Sequence, residues 1–301
     1  MNNVILLVLC FIAGMLLHRY KRMPINAPAV LNRFIIHVSL PALTLFYVHD
    51  VKLGSDVGLI VAMVWIFFAL AAGFFLFVGR WLDLPRRTVG ALILTGGLGN
   101  TSYFGLPMIE AYYGHEGLAT GIIIDQLGSF LVLSTLGITV AGIYSSGRPG
   151  VGEMLKRIVL FPPFIALVIA LSLIGVDYPE WLTFALKRLG DTLAPLALVA
   201  VGFQLRLGHL AGNRRNLAIG LAFKLILAPL VLFILYVPLL GAHGLPIQVT
   251  LFEAAMPPMI TAAILATEHD LDPPLATLMV AVGLIISFAT LTAWWWLMQG
   301  V

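Results

Sequence analysis

The sequence predicts an all-α integral membrane protein with ten transmembrane helices, arranged as two inverted repeats of five helices each. Three observations support this fold class: an apolar composition, an alternation of basic loops, and short matches between the two halves of the chain. Of the 301 residues, 60% are hydrophobic and only 10% are charged. Soluble domains are about 25% charged. The composition therefore excludes an ordinary soluble protein.

Ten stretches of the chain meet the requirement of about 20 largely apolar residues for a membrane-spanning helix. They are residues 3–18, 28–49, 57–79, 88–112, 118–143, 157–175, 181–205, 216–240, 246–267 and 275–299. Basic residues follow the first apolar run and do not precede it. Because a signal peptide has the opposite order, we expect the first run to be a retained helix.

Basic residues concentrate in the loops after odd-numbered spans. These loops hold Arg19, Lys21, Arg22, Arg80, Arg86, Arg87, Arg148, Lys156, Arg157, Arg206, Arg214 and Arg215. The loops after even-numbered spans hold only Lys52. Because cytoplasmic loops carry an excess of Lys and Arg, we expect both termini to lie outside the cytoplasm. The basic excess thus indicates loop orientation and not nucleic-acid binding.

The two halves of the chain match each other in sequence. Residues 41–54 match residues 195–208, and residues 118–120 match residues 275–277. We therefore predict a first five-helix repeat at residues 1–147 and a second at residues 148–301. Each repeat has an odd number of spans, so the second is inserted upside down relative to the first, as in many secondary transporters.

The fourth and ninth spans contain residues that interrupt a helix. The fourth has four glycines and Pro107 around Asn100, and the ninth has consecutive Pro257 and Pro258 at the position equivalent to Asn100. Backbone groups freed by such breaks survive in a membrane only where protein or a wet cavity covers them. Broken helices at membrane depth also form substrate sites in transporters. We therefore expect the two spans to cross at their breaks.

The resumed halves of both spans are expected to point their N-terminal ends toward this crossing. Such ends carry unpaired N–H groups and partial positive charge, which favour an anion, most simply a carboxylate. Asn100 can donate its amide to a carboxylate, and Pro258 suits the first turn of a resumed helix. The alternative is that these polar residues only form hydrogen bonds with the backbone groups that a kink leaves unpaired. The predicted substrate site comprises Asn100, Thr101, Ser102, Pro257, Pro258 and Thr261.

Ionisable residues inside spans are costly in lipid and are functional by default. Glu253, Asp125 with its neighbour Gln126, and Lys224 are the candidates for ion coupling or gating. Glu253 and Asp125 have no carboxyl counterpart in the other repeat, which favours a role as proton carriers or gates. Lys224 could pair with either acid, attract anions, or extend to the interface. The alternative for each is a structural hydrogen bond or ion pair.

Nothing in the sequence indicates an enzyme or a bound cofactor. The chain has one cysteine, Cys10, and lacks the zinc-protease, esterase and P-loop motifs. We expect no metal site.

The motif at residues 99–107 (Gly-Asn-Thr-Ser-Tyr-Phe-Gly-Leu-Pro), together with residues 253–257 (Glu-Ala-Ala-Met-Pro), resembles the auxin efflux carrier family. This family groups plant PIN proteins with bacterial malate or malonate permeases. Pro41, the pair Asp125-Gln126, and Lys224 also resemble its bacterial members. The likeness covers essentially the whole chain, but the first break has no proline at the break itself.

The resemblance implies a scaffold of spans one, two, six and seven and a mobile transport domain of spans three to five and eight to ten. It implies elevator-type transport of small organic anions by a homodimer, with Asn100 facing the substrate. We expect a bacterial inner membrane and coupling to a proton. The alternatives are a sodium-coupled symporter of the bile-acid type, with sodium at the crossing, and a non-transporting membrane receptor or assembly protein.

Overall fold

The computed structural model describes residues 2–49, 57–145, 152, 156, 159–204 and 210–301. Within these ranges the chain is helical, with no β-strand and one isolated β-bridge. Four of the basic residues used for orientation (Lys52, Arg148, Arg157 and Arg206) and the predicted repeat boundary at residues 147 and 148 lie outside the described residues.

The helices of the described residues follow one another along the chain. They are α1 (Asn2–Arg19), α2 (Ala27–Val48), α3 (Val57–Trp81), α4 (Arg86–Gly97), α5 (101–113), α6 (His115–Tyr144), α7 (Pro162–Ser172), α8 (Glu180–Gly190), α9 (Leu193–Gln204), α10 (210–239), α11 (Leu245–Ala254), α12 (Ile260–Glu268) and α13 (Pro273–Met298). Among the described residues, α2, α3, α6, α10 and α13 are each long and apolar enough to cross a membrane. The other predicted spans correspond to shorter or interrupted helices, and the count of ten spans stays a prediction.

Prolines set the local geometry of three helices. Three π-helical turns each end two residues before a proline: Ile35–Ser39 before Pro41, Thr101–Gly105 before Pro107, and Phe223–Leu227 before Pro229. A proline has no N–H for the carbonyl four residues earlier, and its ring clashes with that carbonyl. The wider turn accommodates this conflict without ending the helix.

Another helix satisfies the carbonyl that Pro229 leaves open in α10. This carbonyl belongs to Leu225, four residues before the proline, and it accepts a hydrogen bond of 2.9 Å from the indole nitrogen of Trp294 in α13. An unsatisfied carbonyl in a membrane interior would cost several kcal/mol. Trp294 therefore stabilises the π-turn that contains Lys224.

The chain forms two compact units, and unit 1 comprises residues 1–55, 102–126 and 156–205. Within unit 1, α1 packs along α9 at two glycines. A Cβ atom at Gly14 would lie 2.2 Å from the carbonyl oxygen of Val199, and one at Gly202 would lie 2.1 Å from that of Phe11. These approaches leave no room for a side chain, so the packing of α1 on α9 depends on both glycines.

Unit 2 comprises residues 56–101, 127–155 and 206–301. Its core contains a group of phenylalanine rings from α3 around Phe223 of α10, with ring centroids 4.6 Å apart for Phe74 and 5.0 Å apart for Phe75. A Cβ atom at Gly96 would lie 2.4 Å from the ring of Phe75. This glycine of the fourth span therefore lets α4 approach α3 before the helix breaks.

We expect the substitution Gly202→Ala to lower the free energy of unfolding by about 1–3 kcal/mol, because the added methyl group would force α1 away from α9. Gly73→Ala is the matched control, since a Cβ atom there meets nothing within 4 Å. The control should be neutral or stabilise the helix by about 0.5–1 kcal/mol. Thermal unfolding of the purified variants in detergent measures both. Equal melting temperatures for the two variants would contradict the proposed packing.

We expect Trp294→Phe to destabilise the protein by about 1–2 kcal/mol, because it keeps an aromatic ring but leaves the Leu225 carbonyl without its indole donor. Trp296→Phe is the control, because the side chain of Trp296 is 74% exposed. Thermal unfolding compares the two variants. The assignment fails if the control loses as much stability as Trp294→Phe.

Candidate functional site

The first interruption follows α4. This helix ends at Gly97, and Leu98 is extended, with φ −119° and ψ 127°. The chain resumes as a helix at Thr101, so residues 98–100 run non-helically through unit 2. The break predicted around Asn100 is therefore present, and it needs no proline because three residues adopt non-helical backbone.

The second interruption separates α11 from α12. Helix α11 ends at Ala254, and α12 begins at Ile260 after an extended Met259, with φ −68° and ψ 130°. The expectation that Pro258 occupies the first turn of the resumed helix is wrong. Pro258 lies two residues before that helix, in the non-helical segment, because the backbone there pairs with the other interruption.

Backbone hydrogen bonds join the two interruptions. The backbone N–H of Asn100 donates to the carbonyl of Pro257 at 2.8 Å, and the backbone N–H of Met259 donates to the carbonyl of Leu98 at 3.0 Å. Between these bonds, Gly99 and Pro258 form an antiparallel bridge. Each interruption thus satisfies backbone groups of the other. We call residues 98–100 and 257–259 the joint.

The side chain of Asn100 occupies a buried position at the joint. The residue is 1% exposed, and its side-chain nitrogen (Nδ2) has no hydrogen-bond partner among the described residues. Thr101 is also buried, whereas Thr261 is exposed on the second residue of α12. Asn100 therefore presents a donor that the surrounding protein leaves unused.

Lys224 and Glu253 lie beside the joint in unit 2. Lys224 is 1% exposed, and its ammonium group donates to the carbonyl of Ala254 at 3.0 Å and lies 4.1 Å from the ring centroid of Phe67. Its charge also interacts with that of Glu253, which is 1% exposed. Of the two acids considered as partners for Lys224, Glu253 belongs to the same unit, and the pairing stays a prediction.

A second polar cluster lies in unit 1. The hydroxyl of Ser102 donates to the carboxylate of Asp125, and the amide of Gln126 donates to the hydroxyl of Thr44 at 2.9 Å. All four residues are buried except Ser102, which is half-buried. Ser102, which belongs to the predicted substrate site, directs its hydroxyl to Asp125.

The predicted residues thus fall into two groups. Unit 2 brings together Asn100, Pro257, Pro258, Glu253 and Lys224 at the joint, whereas unit 1 brings together Ser102, Asp125 and Gln126. The described residues contain no group of three or more His, Cys, Asp and Glu side chains that could hold a metal ion.

Sequence reasoning missed three contributors to these groups. Phe67 provides an aromatic face to Lys224, Trp294 supports the turn that holds it, and Thr44 binds Gln126. For the turn a signal existed, since Pro229 requires an adjustment of the preceding backbone. Nothing in the pattern of an apolar span marks Phe67 or Thr44.

Comparison with known proteins agrees with a transport protein. The family described as membrane transport protein matches residues 1–146 and 151–295. An uncharacterized transporter of Methanothermobacter thermautotrophicus is 30% identical over 275 residues, which are 88% of this chain and 87% of the relative. An uncharacterized transporter of Methanocaldococcus jannaschii is 26% identical over 281 residues, which are 89% of each chain.

These matches span nearly the whole chain, and they agree with the several apolar helices. The protein is a multi-pass membrane protein, and it belongs to the membrane transport protein family, the family of the auxin efflux carriers.

Proposed function

We propose that the protein is a secondary active transporter of small organic anions, most simply carboxylates, and that the joint forms its substrate site. Family membership supports transport in general. The preference for an anion rests on one observation: the buried side-chain nitrogen of Asn100 (Nδ2) has no hydrogen-bond partner among the described residues. Leaving a buried donor unsatisfied costs about 1–3 kcal/mol, which a bound carboxylate oxygen would recover.

The helix ends next to the joint support the same ligand class. Helix α5 begins at Thr101 and α12 begins at Ile260, so both start within two residues of the joint. Helix N-termini carry free N–H groups and partial positive charge. Thr261 lies in the first turn of α12 and adds a hydroxyl there. We assign Asn100, Thr101 and Thr261 to the substrate, and Pro257 and Pro258 to the geometry of the joint.

Lys224 and Glu253 provide a means of coupling anion transport to a proton. While Glu253 is ionised, it balances the charge of Lys224. A proton that binds the Glu253 carboxylate neutralises it and leaves the ammonium charge of Lys224 uncompensated beside the joint. An anionic substrate then restores the balance, so one proton and one negative charge are carried together. Asp125 and Gln126, with Ser102, are proposed to gate transport.

The proposed architecture is that of two inverted five-helix repeats, residues 1–147 and 148–301, whose broken fourth and ninth spans cross at the joint. We propose that the protein works by an elevator mechanism in which the body that carries the joint moves. Unit 2 groups α3, α4, residues 127–144 of α6 and α10–α13, which is most of the proposed mobile body, whereas residues 102–126 of spans four and five belong to unit 1. We also propose that the protein is a homodimer in a bacterial inner membrane. Both termini would lie outside the cytoplasm.

We expect Asn100→Ala to reduce uptake of a transported carboxylate at least about tenfold, because the substrate loses a charge-assisted hydrogen bond of roughly 1.5–3 kcal/mol. Asn26→Ala is the matched control, since Asn26 is exposed and its side chain makes no capping bond to α2. Mono- and dicarboxylates are first screened by their effect on the melting temperature of the purified protein. Uptake is then measured in proteoliposomes.

The control should transport at the native rate. If folded Asn100→Ala transports every identified substrate as well as Asn26→Ala does, then Asn100 is not in the substrate site. If no anion raises the melting temperature and none is taken up, the anion class itself is wrong.

We expect Glu253→Gln to abolish acceleration of uptake by an imposed proton gradient while leaving substrate binding intact. The neutral amide resembles a protonated carboxylate, so the charge of Lys224 stays available to the anion at every pH. Uptake by the native protein and the variant is compared in proteoliposomes under proton and sodium gradients imposed separately. Uptake by the native protein that follows the sodium gradient alone would favour the sodium-coupled alternative.

A further inference from the structure

The C-terminal end of α11 is an environment suited to a cation. The helix ends at Ala254, and the last carbonyls of a helix carry partial negative charge. In transporters with broken helices, such ends and the unwound carbonyls beside them coordinate sodium ions or protons. The adjacent carboxyl group of Glu253 has both oxygens buried, which adds a full negative charge at the same place when it is ionised.

The ammonium group of Lys224 fills this environment from α10. It donates to the carbonyl of Ala254 at 3.0 Å, interacts with the charge of Glu253, and faces the ring of Phe67. Gly99 completes the surroundings, because a Cβ atom there would lie 3.4 Å from the ammonium nitrogen. A carbonyl, a carboxylate and an aromatic face are all groups that attract a positive ion.

We propose that Lys224 is a tethered cation that takes the place of a free sodium ion at the end of α11. The native protein therefore binds no sodium there, and shortening Lys224 opens a sodium site whose ligands are the Ala254 carbonyl and the Glu253 carboxylate. A covalently attached ammonium group is present at high effective concentration, so it excludes a dissolved ion from the same position. The α10 π-turn before Pro229 holds the lysine there.

This inference deepens the proposed function, because it says which cation lies beside Glu253: the ammonium group of Lys224 and not a sodium ion. It rests on the charge pairing of Lys224 with Glu253, which the proposed proton coupling also uses. It does not depend on which substrate is transported, because the ion site can be measured in the absence of any substrate.

The test is a sodium titration of the purified full-length protein in detergent. Choline chloride keeps the ionic strength constant, and the melting temperature is the readout. Lys224→Met removes the charge and keeps an unbranched side chain. We expect sodium to raise its melting temperature by about 2–5 °C with saturation, as for binding of a ligand in excess of its dissociation constant. The native protein should show no such rise.

Three further variants define the site. Lys187→Met removes an exposed lysine of α8 and should behave like the native protein. Lys224→Arg keeps a cation in place and should not respond to sodium. The double variant Lys224→Met/Glu253→Gln lacks the carboxylate ligand and should lose the response gained by Lys224→Met alone.

Two results would overturn the proposal: saturable stabilisation of the native protein by sodium, or a response of Lys224→Met no larger than that of Lys187→Met. If Lys224→Met is recovered folded only when sodium is present during purification, the site is supported. Failure to recover it folded with sodium present counts against the proposal. Transport by Asn100→Ala is a separate readout, so an error about the substrate leaves this result unchanged.

Discussion

The two backbone hydrogen bonds between the interruptions are the constraint on which the rest of unit 2 depends. A membrane interior offers no water to amides and carbonyls, so a helix can break there only if protein supplies the missing partners. Asn100 and Met259 donate to Pro257 and Leu98, and each break thereby becomes the partner of the other. Neighbouring elements then have to fit the joint: a Cβ atom at Gly283 of α13 would lie 2.7 Å from the ring of Pro258. The joint therefore requires a small residue at position 283 as well as the backbone bonds within it.

The buried charged groups beside the joint, Lys224 and Glu253, also need partners supplied by the protein. A lone ammonium or carboxylate in this environment would cost several kcal/mol, and a buried pair recovers that cost only with good geometry and further hydrogen bonds. Lys224 has its further bond to Ala254, whose carbonyl lies at the end of α11. This carbonyl can accept from Lys224 because α11 stops there and provides no later helical amide for it. The backbone interruption and the burial of these charged groups are therefore one arrangement.

Much of this arrangement could be predicted from the sequence, because its signals are local. Glycine and proline within apolar spans marked both interruptions, and the match between halves placed Asn100 opposite Pro257. Contacts between distant segments left no such signal. The bond from Trp294 to Leu225, the ring of Phe67 against Lys224, and the bond from Gln126 to Thr44 all join residues far apart in sequence. Pro258 was misplaced for the same reason, since pairing with Gly99 and not helix propensity decides its backbone.

The chain passes from one unit to the other at a few defined points. Within the described residues the chain passes between units at Thr101–Ser102 and at Gln126–Leu127. Both crossings lie within π-helical turns, Thr101–Gly105 and Ile124–Phe130. Such turns have a looser backbone than an α-helix and often occur at functional sites. The hydroxyl of Ser102 and the carboxylate of Asp125 bind each other immediately on the unit 1 side of these two crossings. The bond between Ser102 and Asp125 therefore joins the residues next to the two points at which the chain enters and leaves unit 1.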